Sequence, residues 1–270
     1  MKKTILWMFA AVLGGCLTLT SCGDDDEEDN KEQAVNVTPE QLNGIWAIED
    51  ITSDDPNISY KEVDDLLYLV SGTSIALYTN GLYAGQTGEV GYWSVSNGSL
   101  NIKYNNGSSQ HLGTVVKYSK DEIVLSAILD EGTVHITYKR SSLPAINADD
   151  LVHLWVTYDV VDDPKNSGCF PDEGGTVSFF DDGTFWDFDG ELAKWELDGR
   201  VLTITYDDDP SSSEEFEVLF VNYPYMIWHT ETWDLDSNTE VSALISMKLP
   251  EAPLTPDGPE PESPDGPGSN

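Results

Sequence analysis

Two stretches of this chain, 102 positions apart, follow one plan, and that repetition limits the fold more than any other feature. Residues 74–104 read SIALYTNGLYAGQTGEVGYWSVSNGSLNIKY and residues 176–206 read TVSFFDDGTFWDFDGELAKWELDGRVLTITY. In each, a short β-type segment enters an Asn-Gly or Asp-Gly turn, a Trp follows twelve residues after that Gly, and a Tyr follows eleven residues later. Gly81, Trp93 and Tyr104 thus match Gly183, Trp195 and Tyr206 without a gap. The 270 residues therefore contain a tandem duplication. Each copy is roughly 100 residues long, enough for a hydrophobic core of its own.

Within the copies the hydrophobic period is that of strands. Leu100-Ile102-Tyr104, Leu202-Ile204-Tyr206, Val134-Ile136-Tyr138 and Ala243-Ile245-Met247 alternate with polar neighbours, as strands with one buried face do. Asn80-Gly81, Asp182-Gly183, Asn97-Gly98, Asp198-Gly199, Asn106-Gly107 and Glu131-Gly132 separate them. Asn-Gly and Asp-Gly supply the positive φ of tight hairpins. No stretch is expected to hold a helical period beyond two turns. The distance from Trp46 to Gly81 is 35 residues, against 28 from Trp155 to Gly183. The excess is expected as loop or short helix around Tyr60 to Tyr68. Thr38-Pro39 and Asn147 to Leu151 each predict a helical turn before the first strand of a copy. The expected fold is all-β: two tandem antiparallel meander barrels, closure removing the exposed strand edges.

Charge narrows the partners. There are 49 acids and 13 bases, a formal net charge of −36. Residues 37–143 hold 13 acids against 6 bases, and 148–250 hold 24 against 4. Nucleic acid is excluded as a partner, because phosphate binding needs Lys and Arg. Of three cysteines only Cys169 falls in a copy, so no intrachain disulfide framework exists. Its loop has Lys165 as the one nearby base against Asp162, Asp163, Asp172 and Glu173. Those surroundings do not lower a thiol pKa.

The termini read differently. Lys2 and Lys3 precede an apolar run, Ile5 to Leu19, too short for a lasting membrane span. It ends Leu19-Thr20-Ser21-Cys22, which resembles the lipobox of bacterial lipoproteins. The resemblance implies acylation of Cys22 and a membrane partner reached through the lipid; the alternative is an ordinary secretory signal. Gly23 and DDDEED at 24–29 follow. Such a run is a solvated spacer, and it also resembles the export signal of surface lipoproteins in Bacteroidota-type bacteria. That resemblance implies an outer-membrane, surface-exposed location. The expected organisation is a signal peptide at 1–21, an acidic linker at 22–37, copies at 38–143 and 147–250, and a disordered Pro-rich tail at 251–270.

A meander of this size that opens with Gly44-Ile45-Trp46 resembles the small lipocalin-like domains of bacterial lipoproteins. In that family a basic side chain lies over the Trp, which Lys139-Arg140 would supply. The second copy departs, with His153 for the Gly and Lys248 the single late base. The resemblance implies a cup able to hold a small apolar molecule.

Catalysis finds no support. His111, His135, His153 and His229 lack metal-ligand spacing and no Gly-x-Ser-x-Gly elbow is present; no cofactor is expected. Asp234-x-Asp236-x-Asn238-x-Glu240 alternates oxygen ligands as calcium loops do, but Thr239 stands where an EF-hand needs Gly. The remaining lever is where the copies differ. At an offset of 102, Trp186 faces Ala84 and Phe188 faces Gln86; at 104, Trp228 faces Val124 and Tyr225 faces Asp121; Trp233 is a further gain. Large aromatic rings suit stacking on sugar or walling an apolar cavity. Trp186, Phe188, Tyr225, Trp228 and Trp233 are therefore the candidate binding residues, for a small apolar ligand or a glycan. The competing expectation is a structural protein with filled barrels, whose partners are other envelope proteins.

Overall fold

A computed structural model of the chain describes residues 33–56, 58–70, 72–129, 132–143, 145–163, 174–206, 213–234 and 238–250. Cys22 and the rest of the leader, Cys169, Asp236 and the tail lie outside the described residues. The first copy comprises α1 (Pro39–Leu42), β1 (Gly44–Thr52), α2 (Tyr60–Val70), β2 (Ser74–Leu77), β3 (Leu82–Gly85), β4 (Val90–Ser96), β5 (Ser99–Lys103), β6 (Ser109–Tyr118), β7 (Glu122–Leu129) and β8 (Gly132–Arg140). A 3-10 turn, Ala148–Asp150, leads into the second. It comprises β9 (Leu154–Asp163), β10 (Thr176–Phe179), β11 (Thr184–Trp186), β12 (Leu192–Asp198), β13 (Val201–Tyr206), β14 (Ser213–Asn222), β15 (Tyr225–Asp234) and β16 (Thr239–Lys248). Each set of eight pairs with its sequence neighbours, and β8 returns to β1 as β16 returns to β9, giving two closed antiparallel barrels.

The residues that repeat do the same work twice. Gly81 and Gly183 take φ of 89° and 82°, a region that costs an L side chain strain. Each carbonyl then accepts from the backbone N–H of Trp93 or Trp195, at 2.7 and 2.9 Å. The indole N–H of Trp93 donates to Tyr78 O at 2.8 Å, and that of Trp195 to Phe180 O at 3.0 Å. Trp46 and Trp155 donate to Leu42 O and Leu151 O at 2.7 and 2.9 Å, tying each first strand to its helical turn.

The closed ends differ in chemistry and agree in shape. In barrel 1 the Arg140 guanidinium lies 4.3 Å from the Trp46 ring centroid and donates to the carbonyls of Gln41, Asn43 and Lys120. A side chain at Gly44 would overlap that guanidinium. Barrel 2 lacks the arginine, and Tyr223 covers its Trp instead, stacked at 6.2 Å and 23°. The Tyr223 hydroxyl donates to Asp150 O at 2.9 Å and lies 2.9 Å from His153 Nε2. His153 therefore has a role in place of the glycine: with no arginine overhead, its ring fits edge-on to Trp155.

Both interiors carry bulky side chains. Trp46, Tyr83, Trp93, Ile102, Leu125 and Tyr138 belong to one core, and Trp155, Phe179, Phe185, Trp195, Phe216 and Trp228 to the other. In barrel 2 the rings of Phe179, Phe185, Trp195 and Trp228 meet at centroid distances of 4.9 to 5.7 Å. The excess length in copy one is helix α2, eleven residues long and longer than the two turns expected. Ser59 and Glu62 form a reciprocal cap: Ser59 N donates to Glu62 Oε2 at 2.8 Å, and Glu62 N to Ser59 Oγ at 3.3 Å. Val63, Leu67 and Val70 then pack on the core of barrel 1.

A third apolar cluster joins the barrels. Ala76, Leu82, Ala84 and Val90 on the outer face of β2, β3 and β4 pack on Val161, Leu219, Phe220, Ile227 and Leu244 of β9, β14, β15 and β16. Strand β16 is consequently buried on both faces from Val241 to Met247. Polar contacts edge this seam. Tyr92 Oη donates to Asp162 O at 3.0 Å, Asn105 Nδ2 to Val160 O at 2.5 Å, and Ser246 Oγ to Gly88 O at 2.6 Å. Tyr78 stacks on His229 at 4.4 Å.

Candidate functional site

Four of the five candidate aromatics, Trp186, Phe188, Tyr225 and Trp228, do not form one wall. Trp228 is fully buried inside barrel 2, against Phe179 and Phe216. Phe188 is half-buried on the same core, because β11 ends at Trp186 and the turn Asp187–Gly190 carries Phe188 over the interior. Trp186 points the other way, so these two do not share a face. Tyr225 lies at the seam, 5.8 Å from Tyr158. Trp233 is placed on β15 opposite Glu240.

Strand register also corrects one alignment. Ala47 pairs with Lys139 and Val156 with Lys248, while Ile51 pairs with Ile136 and Val160 with Ile245, so β8 and β16 correspond at an offset of 109. Ile136 then faces Leu125 on β7, and Ile245 faces Trp228 on β15. The copy-one counterparts of Trp228 and Tyr225 are therefore Leu125 and Glu122, at an offset of 103, and not Val124 and Asp121. At Trp228 one inward residue is replaced by a larger one.

Trp186 is different in kind. It is 49% exposed, and Phe180 meets it edge-on at 5.9 Å. On β9 to β12 the pairings Leu154–Ser178, Ser178–Trp186 and Trp186–Leu192 run as a row across the sheet. Their counterparts in copy one, Ile45–Ala76, Ala76–Ala84 and Ala84–Val90, pair in the same way. In barrel 1 that row is sealed in the seam. In barrel 2 Leu154, Trp186, Leu192 and Phe180 stand exposed, which makes this face the candidate contact surface. Nearby acids serve the turns: Asp182 Oδ1 accepts from Thr184 N at 2.9 Å, and Asp187 Oδ1 from Asp189 N and Glu191 N at 2.9 and 2.8 Å. The hydrogen bonds from Thr184 hold the Asp182 carboxyl below its ordinary value.

Two adjoining hollows open beside the seam. The larger, about 630 Å³, is lined by Asn105, Asn106, Val156, Thr157, Tyr158, Asp159, Gly174 and Lys248. The smaller, about 230 Å³, shares Asn106, Tyr158 and Asp159 with it and adds Gly88, Glu89, Tyr104 and Tyr225 among others. Thr87 Oγ1 donates to Glu89 Oε2 at 2.6 Å, and burial raises the Glu89 carboxyl above its ordinary value. Gly88 has a φ of 103°, and any Cβ on it would overlap the Tyr225 ring. Sequence reasoning missed this place, since residues between 87 and 248 meet only when the barrels dock. Among the described residues no group of three or more His, Cys, Asp or Glu side chains could hold a metal ion, and no helix is long and apolar enough to cross a membrane.

No family model matches the chain, and no curated protein matches it. Among solved structures, an endo-1,5-alpha-L-arabinanase from Thermotoga petrophila superposes at a TM-score of 0.26 and 10% identity, over 78% of this chain. The chain spans 40% of that enzyme's length. A protein of unknown function of the DUF3598 family from Nostoc punctiforme superposes at 0.25 and 11% identity, covering 80% of this chain and 100% of the other.

Proposed function

We propose that this chain is a lipid-anchored, surface-displayed binding protein of the bacterial cell envelope, non-catalytic, that engages glycan through the outer face of barrel 2. In this reading Cys22 carries the acyl chains, residues 24–29 direct export, and two lipocalin-like barrels are solid scaffolds. The bulky interiors support a site outside the barrels over an apolar ligand held within them. The observation that carries the proposal is Trp186, half exposed where copy one has an alanine packed against another barrel.

Physical chemistry favours a sugar on this face over a further barrel. The seam closes because Ala76 and Ala84 let two sheets approach; an indole at the second of those positions would hold them apart. A half-exposed indole beside a second ring is, by contrast, a stacking surface for a pyranose, and acids such as Asp181, Asp182, Asp187 and Asp189 are acceptors for hydroxyl groups. Carboxylates would repel an anionic polysaccharide, so the glycan is neutral or cationic.

Affinity electrophoresis of residues 23–270 through neutral polysaccharides (α-glucan, β-glucan, galactomannan) tests this. Retardation by at least one, weakened about tenfold in Trp186→Ala, is expected. Equal retardation of wild type and variant, or none with any glycan, would overturn the proposal. Protection of the protein from protease on intact cells would remove the surface assignment.

A further inference from the structure

We infer that the small hollow at the seam is a second binding site, for a small organic ammonium ion. Its lining has two carboxylates, Glu89 and Asp159, three tyrosines, Tyr104, Tyr158 and Tyr225, and no basic side chain. Aromatic faces beside carboxylates are the surroundings that hold an alkylammonium group, because ring quadrupole and formal charge attract it together. At about 230 Å³ it is smaller than the roughly 300–1,000 Å³ of drug-sized pockets, so the ligand is small.

The surrounding geometry supports the same chemistry. Tyr158 already attracts a cation: Lys248 Nζ lies 4.9 Å from its ring centroid, on the side of the larger hollow. Tyr225 is tilted at 54° to Tyr158, so the two rings do not close flat on each other. Glu89 is fixed by its Thr87 hydrogen bond, and the preceding turn is fixed by Ser246 donating to Gly88 O at 2.6 Å. The net charge of −36 concentrates cations around the whole molecule, but three rings and two acids in one hollow add selection for an organic one.

Choline chloride is the probe, titrated into residues 23–270 by calorimetry at constant ionic strength. Saturable one-to-one binding is expected. It should weaken about tenfold or more in Glu89→Gln and in Tyr158→Leu, the latter a half-exposed position where folding tolerates the change. The neutral isostere 3,3-dimethylbutan-1-ol should bind at least tenfold more weakly. Asp182→Asn, on the outer face of barrel 2 and matching Asn80 of copy one, should leave choline binding unchanged. The inference fails if choline does not saturate, if the neutral isostere binds equally, or if Asp182→Asn weakens binding as much as Glu89→Gln, which would mean diffuse counter-ion attraction. None of these outcomes bears on Trp186 and its glycan.

Discussion

At the scale of single residues the tryptophans shared by the two copies are satisfied alike, and the buried Trp228 that barrel 2 alone carries is not. Trp46, Trp93, Trp155 and Trp195 each donate the indole N–H to a carbonyl. Trp228 is equally buried, yet its N–H has no acceptor among the described residues. An unmet buried donor costs about 1–3 kcal/mol, while a satisfied one contributes about 1. Trp195→Phe should therefore lose about 1–2 kcal/mol in urea denaturation, and Trp228→Phe less than 1, since the lost volume is offset by removal of the unmet N–H. Equal losses would mean that Trp228 has found a partner. Glu89 offers a second comparison. Its carboxyl is raised above its ordinary value by burial, so the folded chain holds that proton more tightly than the unfolded one. The stability so gained is complete below the unfolded value, about 4.3, and is lost as pH rises through the raised folded value. Glu89→Gln should therefore gain on wild type across that window and keep a constant lead above it. Parallel pH profiles would place Glu89 in water.

Among the elements, α2 and β16 depart furthest from a one-sided strand pattern. Helix α2 starts at a Ser59…Glu62 cap and buries Val63, Leu67 and Val70. All of this spacing is written in the sequence, but a chain dominated by hairpins draws attention away from it. Ser59→Ala should cost about 1 kcal/mol, the ordinary value of an N-cap, with the loss read as a lower melting temperature. An unchanged melting temperature would mean that α2 adds nothing to barrel 1. Strand β16 shows the reverse difficulty. Ala243-Ile245-Met247 alternates as an inward face, and nothing local marks Leu244 and Ser246 as buried too. They are buried because another barrel lies on them.

For the whole molecule, the seam turns two copies into unequal partners. Barrel 1 contributes the outer face of β2 to β4, barrel 2 that of β9 and β14 to β16, so the contact is head to tail. Such contacts extend into filaments when the same surfaces recur at both ends. Here they do not. The equivalents of Phe220, Leu244 and Val161 in barrel 1 are Lys117, His135 and Thr52 by register, and Trp186 replaces Ala84. Those replacements weaken the apolar match on both sides, and the row on barrel 2 stays exposed. Leu244→Glu should place an unpaired charge in the seam, at a cost of several kcal/mol. Calorimetry should then resolve two melting transitions where wild type shows one. A single transition in the variant would mean that the seam does not couple the barrels.

By itself the sequence determined the all-β class, the duplication, the turn glycines and the indole positions. Each is a local matter: a period of two, a positive φ, or a spacing that returns at 102. It also marked Trp186 as peculiar to copy two, because that needs only an alignment. Which way Trp186 points was decided by the tertiary structure. So was the separation of Trp186 from Phe188, Tyr225 and Trp228, and the gathering of Glu89, Tyr104 and Tyr158 with Tyr225. The physical reason is that a strand has two faces and the pattern identifies one of them. Whether the other face meets water or a second barrel depends on residues far away in the chain, and no local period carries that information.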